Sequence, residues 1–550
     1  MIKKNIIADI KEVFNELELE YNPDIVVEIP KIAAHGDYST NAALKSAHLN
    51  KMKPRELAEI LVAKLKKIKA YKKIEIAGPG FINFILSNSF YLEGLNKIQT
   101  NTRRFLSSRY GKGRKIILEF VSANPTGPLN VVSARAATYG DTLYRIFTFV
   151  GFKAFREYYM NDAGNQVDIL AESIDLRYRE ILGEEIDEFP PEAYHGEYVI
   201  DLANLLISLE GDKIYHMSEK DRLEKMKNFA LDEIHKMQVA SLQKLGVEFE
   251  NWMSEKKLRE EGAIEEVLSY LAEANCTYEK DEAIWFESTL FGDEKDRVLM
   301  RQDGTITYIV PDIAYHLTKY HRKFDYIIDV LGPDHHGYVP RLLAALTALK
   351  YDQSKLEIVY LQHINLIQDG KIIKMSKRAG KIVTMDELVD EVGKDAARFF
   401  FINRKPSAHL NFDLELAKKQ TADNPVFYVQ YAHARIYSIL KKARAQKLYI
   451  TDFDAKNLKK LSKDAEIAMI RKMMLLPELL INIAETREPH RLATYVHQLA
   501  GMFHKYYANY KILGLKDQTL TLARLYMISS VKNVIATCLE LMGISAPKQM

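Results

Sequence analysis

Residues 115–149 read KIILEFVSANPTGPLNVVSARAATYGDTLYRIFTF, and their order decides the fold. Residues 115–121 form a short apolar run with the length of a buried strand. Asn124-Pro125-Thr126-Gly127-Pro128 follows as a cluster of turn formers, and from about Ser133 to Phe149 the apolar spacing is helical. A buried strand, a polar loop and the opening of a helix together present helix N-terminal amides to an anion such as a phosphate. Two more buried strands are expected at 325–331 (DYIIDVL) and 356–361 (LEIVYL), with helical stretches between them. The middle of the chain therefore reads as a parallel α/β sheet, with long polar helical insertions around 165–185 and 218–245.

On the N-terminal side, the first fourteen residues are broken by Asp9, Lys11 and Glu12 and predict an amphipathic helix, not a signal peptide. Residues 53–67 have helical spacing with Pro54 near the start, and 73–86 read as two short strands around Gly78-Pro79-Gly80. This is a small α/β module ending near residue 108. On the other side, strand signals stop after about residue 405 and helical spacing runs to the end. Between Lys441 and Lys472 there are ten Lys/Arg against four Asp/Glu, with Phe427, Tyr428, Tyr431, Phe503, Tyr506, Tyr507 and Tyr510 close by in sequence. Cations interleaved with aromatics suit a surface that tracks a backbone and stacks bases of single-stranded RNA. A solvated helix face beside an aromatic core has the same composition.

The whole chain has 550 residues, 77 Lys+Arg against 74 Asp+Glu and a net charge of +3, so it is no histone-like polycation. With 47% hydrophobic and 27% charged residues it has the balance of an ordinary globular protein of several domains. No apolar stretch is long enough for a membrane helix. Two distant cysteines, Cys276 and Cys538, exclude a disulfide scaffold or a Cys-rich zinc site and fit a reducing cytoplasm.

The sharpest short motif is Lys374-Met375-Ser376-Lys377-Arg378, followed by Ala379-Gly380. Three cations on a Gly-flanked loop can gather round a polyphosphate and stabilise charge on a pyrophosphate leaving group. The pentapeptide resembles the KMSKS-type loop of class I aminoacyl-tRNA synthetases. With the stretch from Glu119 to Leu129, the chain resembles the arginyl-tRNA synthetase family. The likeness recurs in order at Gly36-Asp37-Tyr38, at residues 78–83 and 161–166, at Asp296-Arg297-Val298 and at residues 304–308 and 311–316. It continues at Asp334-His335-His336-Gly337-Tyr338 and at residues 424–433.

That resemblance implies an α/β multidomain protein. An N-terminal add-on domain (1–108) would contact tRNA, a Rossmann-like catalytic domain (109–405) would bind nucleotide, and an all-α domain (406–550) would bind the anticodon. It implies an arginine–tRNA ligase that consumes ATP, with magnesium accompanying it, and takes arginine and the tRNA for arginine as partners; we expect a monomer in the cytoplasm. Independently, a guanidinium is a planar set of five donors and calls for carboxylates and a hydroxyl. Tyr308 and Asp312, four apart, share one face if the segment is helical. By resemblance these two hold the guanidinium with Glu119 assisting, and Asn124 binds the α-groups with Asp334 and His335 nearby. ATP would meet Ala123, Pro125, Thr126, Gly127, Pro128, Leu129 and residues 130–133, together with Met375 and Ser376. Lys374, Lys377, Arg378, Asn130 and Ser133 would serve catalysis, and Asn83, Tyr428, Tyr506 and Met550 would contact tRNA. His433 and His504 are expected to serve packing.

One departure stands out. Where the family carries His-x-Gly-His, this chain has Asn130-Val131-Val132-Ser133. Asn130 and Ser133 can still donate hydrogen bonds, but Val132 puts a branched side chain where close approach is wanted. The alternative readings are a weakened or inactive paralogue that only binds tRNA, and an enzyme that adenylates a small acid without tRNA.

Overall fold

The computed structural model describes every residue except Met1, Lys31, Ala33, Ala34, Asp187 and residues 374–383, and the side chain of Asp452. The chain begins with α1 (Ile2–Glu16), β1 (Val27–Glu28), β2 (Tyr38–Thr40), α2 (Ala42–Ser46), α3 (Pro54–Leu65), β3 (Tyr71–Ala77) and β4 (Phe81–Leu86). Its four strands form an antiparallel sheet ordered β1-β2-β4-β3, so the expected hairpin around Gly78-Pro79-Gly80 is present. Gly80, at φ +146°, brings the turn against α3, where a Cβ would stand 2.9 Å from the Pro54 carbonyl. Helices α4 (Asn88–Thr100) and α5 (Thr102–Leu106) lead on to the central sheet.

That sheet starts with β5 (Lys115–Glu119), α6 (Val131–Phe149) and β6 (Lys153–Met160). The helical insertion α7 (Asn165–Ile181), α8 (Glu197–Glu210) and α9 (Glu219–Leu245) precedes β7 (Asn251–Ser254). Next come α10 (Glu255–Glu260), α11 (Ala263–Glu273) and an antiparallel ribbon of β8 (Thr277–Lys280), β9 (Ala283–Phe286) and β10 (Arg297–Met300). Helix α12 (Ile309–His321), β11 (Tyr326–Leu331), α13 (Val339–Ala348) and β12 (Leu356–Tyr360) complete the unit. The five sheet strands are all parallel in the order β12-β11-β5-β6-β7. Ile116, Ile117 and Leu118 are buried on both faces of β5, as a central parallel strand requires. The chain passes from β5 to β6 on one side and reaches β11 on the other, so strand order reverses at β5. In such a doubly wound, Rossmann-like sheet the crevice at the strands' C-terminal ends is the natural ligand site.

A smaller sheet follows, with β13 (Ile364–Gln368) antiparallel to β14 (Lys371–Ile373). Helices α14 (Met385–Val392) and α15 (Lys394–Ile402) lead to β15 (Leu410–Asp413), which pairs in parallel with β13. This strand corrects the expectation of helix alone after about residue 405. Only Leu410 and Phe412 alternate inward, too short a signal to read without its partner. Beyond it the chain is helical: α16 (Leu414–Lys418), α17 (Pro425–Ala445), α18 (Asp464–Met474), α19 (Leu476–Thr486), α20 (His490–Asn509) and α21 (Gln518–Leu541). Helices α18 and α21 pack on α4, joining the last part of the chain to the first.

One side chain links three regions. Arg398 of α15, wholly buried, donates to Asp141 of α6 (2.6 Å), to the Leu245 carbonyl at the end of α9 (3.2 Å) and to the Met542 carbonyl just beyond α21 (2.7 Å). No helix among the described residues is long and apolar enough to cross a membrane.

Candidate active site

The crevice is made by an abrupt turn at the end of β5. Val121 (φ 75°) and Ser122 (φ 43°) are both left-handed, a conformation costly for non-glycine residues and most so for a β-branched one. Ser122 holds the turn by donating from its hydroxyl to Glu119 (2.9 Å) and accepting the Tyr159 N–H (3.2 Å). Helix α6 comes close beneath because residue 140 is glycine; a Cβ there would stand 2.2 Å from the Phe120 ring. Ala123, Asn124, Pro125, Thr126, Gly127, Pro128 and Leu129 form the loop across to α6, and the Asn124 amide donates to Gln166 (2.5 Å).

At the head of α6 the Asn130 side chain is a helix cap, its Oδ1 accepting from the Ser133 N–H (3.0 Å) and hydroxyl (3.3 Å). The Ser133 hydroxyl, expected as a donor to ATP, is thus turned inward on the cap, and Val131 is buried in the core. What faces the crevice is the positive end of a 19-residue helix, the Asn130 amide and the Val132 side chain, 43% exposed. With Val121, Gly332 and Leu361 these residues line a cavity of about 130 Å³. Lys374, Met375, Ser376, Lys377 and Arg378 lie outside the described residues. The chain after them returns to this place, because Thr384 bridges Asn130 and the Met385 N–H donates to the Leu129 carbonyl (2.7 Å).

The other side of the crevice is carboxylate-rich. Tyr308 caps α12 and is 72% exposed, which excludes a core role, and Asp312 follows one turn later. Among the described residues no lysine or arginine pairs with Asp312. Burial pushes its carboxyl up to about 6, against the pull of the nearby His316 ring; its other neighbours are the buried Tyr338 hydroxyl and the Glu255 and Glu119 carboxylates. Glu119, expected by resemblance to assist these two, lies in a more enclosed setting. Glu119 is buried and already ion-paired with Lys319 (2.6 Å), which also holds Asp329 (2.7 Å). His316 completes the cluster on Asp329 (2.8 Å), and both basic partners hold that carboxyl well below the usual range despite its burial. Glu119 thus lies at the floor of the crevice with one oxygen on Lys319, a residue 200 positions away, and the other on Ser122. The acidic group facing Asp312 that spacing missed is Glu255, at the start of α10. It accepts from Tyr159 (3.0 Å) and pairs with Arg259 (2.6 Å), while the Tyr159 ring packs at a tilt against Tyr315. Only its place behind the Ser254 cap hinted at it. Asp334 stands exposed in the turn after β11, 3.5 Å from the His335 ring, with no contact to Asp312.

A second concavity, about 900 Å³, lies between α17 and the segments at the ends of α20 and the chain. Arg435 lies over Tyr431 (4.5 Å) and Tyr507 (5.1 Å), with Tyr510, Lys511 and Met550 completing the lining. Met550 is thus in the groove, and Tyr428 sits one turn away, half-buried between His497 and His504. Tyr506 is not in it: 1% exposed, it donates to Glu466 (2.8 Å) and is part of the core. Its helical neighbour Tyr507 takes the exposed place. His433 is buried on the Pro547 carbonyl (2.7 Å), and His504 packs among aromatics. Asn83, in the middle of β4, has little exposed surface.

Comparison with known proteins gives three family matches in chain order. They are "Arginyl tRNA synthetase N terminal domain" over residues 1–86, "tRNA synthetases class I (R), catalytic domain" over 94–440 and "DALR anticodon binding domain" over 429–550. Among individual proteins, the chain is 43% identical to the arginine–tRNA ligase of Shouchella clausii over 530 residues, covering 96% of this chain and 95% of the relative. It is 45% identical to that of Listeria monocytogenes serovar 1/2a over the same length and shares. The solved arginyl-tRNA synthetase of Thermus thermophilus, 21% identical, matches with a TM-score of 0.76 over 100% of both chains, a likeness of fold.

Proposed function

This chain belongs to the arginyl-tRNA synthetase family, and from that premise we propose how its crevice works as an ATP-dependent arginine–tRNA ligase. In the first step an arginine carboxylate oxygen attacks the α-phosphorus of ATP. The bond from that phosphorus to the bridging oxygen breaks, giving arginyl-adenylate and pyrophosphate. In the second, the 2′-hydroxyl of the terminal adenosine of tRNA attacks the activated carbonyl and AMP leaves, the hydroxyl proton going to the departing phosphate.

The observation that carries this reading is Asp312, a carboxylate in the crevice with no lysine or arginine partner among the described residues and only His316 as a basic neighbour. An incoming guanidinium supplies such a partner in two-point geometry, with Tyr308 closing over it and Glu255 behind. Asn124 and its loop place the α-groups beside the head of α6, where the helix dipole favours the α-phosphate. Catalysis is positioning plus stabilisation of phosphate charge, with Lys374, Lys377 and Arg378 drawn to the leaving pyrophosphate. Magnesium arrives with the nucleotide. The acidic cluster of Glu119, His316 and Asp329 does not suit it, because the Lys319 ammonium already fills that place.

The segments 1–108, 109–405 and 406–550 divide the work. Asn83 lies on the first, and the basic aromatic groove at Arg435 and Met550 offers stacking partners for splayed anticodon bases. The reading carries with it a monomeric enzyme in the cytoplasm. Arginine-dependent exchange of pyrophosphate into ATP, with and without the tRNA, tests it. We expect exchange that requires arginine and is strongest with tRNA; tight tRNA binding with no exchange under either condition would leave only an RNA-binding protein.

A further inference from the structure

We propose that the helical insertion α7–α9 is a brace for the loop between β5 and α6, and that Gln238 of α9 is its positioning residue. The inference rests on the reading of that loop as part of the ATP site. Gln238 is buried, and its Nε2 donates to two loop carbonyls, those of Asn124 (3.2 Å) and Gly127 (3.0 Å). Its Oε1 lies 3.0 Å from the Tyr158 hydroxyl, which also accepts the Ala123 N–H (3.2 Å). A second grip comes from Tyr198 of α8. Its hydroxyl donates to the Thr126 carbonyl (2.8 Å), and its ring lies where a Cβ on Gly127 would come within 3.1 Å.

The loop has few bonds of its own. Proline occupies two of its positions, which removes two N–H donors, and the chain enters it through two left-handed residues. The carbonyls of Ala123, Asn124, Thr126 and Gly127 are instead held from outside, the first by Tyr158 of β6 and the others by the insertion. One turn beyond Gln238, the Ser241 hydroxyl bonds the Asp386 carboxylate and Lys244 pairs with Asp390 (2.6 Å), both on α14. Helix α14 begins at Met385, capped by Thr384. Helix α9 thus ties the loop to α14, and a shift of about 1 Å in a loop that positions ATP costs on the order of 100-fold in rate.

The test compares Gln238→Met, Tyr198→Phe and a control, Ile234→Val, which trims the insertion's core without touching the loop. ATP affinity is read by calorimetry, pyrophosphate exchange with tRNA present by kinetics, and folding by thermal melting. Gln238→Met keeps length and burial but removes both donors. We expect ATP to bind about 10-fold more weakly and kcat/KM for ATP to fall by about 10- to 100-fold, mostly through KM. The tRNA dissociation constant should stay within about twofold and the melting shift should be no larger than that of Ile234→Val. Tyr198→Phe should act in the same direction by a smaller factor, and it decides the matter alone if Gln238→Met does not fold. ATP affinity within twofold of the unmutated chain in these variants overturns the brace, as does a loss matched by Ile234→Val. Absence of exchange in the unmutated chain would instead sink the ligase reading, while ATP affinity still decides the brace.

Discussion

Asp312 is partly buried with no lysine or arginine beside it among the described residues, and the fold bears the cost until substrate arrives. Its carboxyl is raised from 3.8 to about 6 by burial, a penalty of up to about 3 kcal/mol on the charged form. Because the folded pKa lies above the unfolded one, the penalty is full above about pH 6, shrinks as pH falls, and is gone below about pH 4. Asp312→Asn should therefore melt higher than the unmutated chain at pH 7–8 and no differently near pH 4, while its KM for arginine rises by about 100-fold or more. In the unmutated enzyme the KM for arginine should climb as pH drops through about 6, and this dependence should be missing from the variant. A lower melting point for Asp312→Asn at pH 7 would show that the carboxylate is already satisfied. The four-residue spacing of Tyr308 and Asp312 puts both on one helix face, but only the family resemblance singled them out. The pairing of Glu119 could not be read from the sequence, since its partner Lys319 is brought to it only by the pairing of β5 with β11 and the packing of α12. Tyr506 and Tyr507 show the same limit: adjacent aromatics on a helix differ by about 100° in direction, and only the packed bundle says which one is inside.

At the scale of elements, the head of α6 does two jobs with one side chain. Asn130 caps the helix and offers its amide to the crevice. Asn130→Ala should lose about 1 kcal/mol of stability along with ATP affinity. Asn130→Asp keeps the capping oxygen and suits the helix dipole, so its stability should match the unmutated chain. A negative charge at the phosphate position should nevertheless raise its KM for ATP by about 10-fold or more. Urea unfolding beside ATP kinetics separates the two roles; equal kinetic loss in both variants without the stability difference would refute them. The strand, the loop and this helix were all readable in residues 115–149, because burial on both faces, turn chemistry and helical period leave separate marks. The left-handed Val121-Ser122 pair was not, since neither residue favours that conformation and only the surrounding packing enforces it. Strand β15 escaped for a related reason: four residues carry no period of their own and become a strand through β13.

Across the whole molecule, Arg398 fastens α6, the insertion and the end of the helical bundle at one buried point. Replacing it with methionine strands part of the charge on Asp141 and frees two carbonyls in the interior. The expected loss is about 3–5 kcal/mol in chemical denaturation, and a loss below about 1 kcal/mol would mean that Arg145 and Arg156 suffice for Asp141. The strand order has a consequence for how such a chain is made. Strand β5 gains β6 soon after it leaves the ribosome, but its other neighbour begins at residue 326. At synthesis rates of ~5–20 residues per second, its second edge stays open for roughly 10–40 s. During that interval a nascent chain displays Ile116, Ile117 and Leu118 along an unpaired edge, the kind of surface that invites pairing with a neighbouring chain on the same polysome. The long helices of the insertion, built from local contacts, are completed within that wait. The molecule is thus most exposed to misassembly halfway through its own translation, before its central sheet can close.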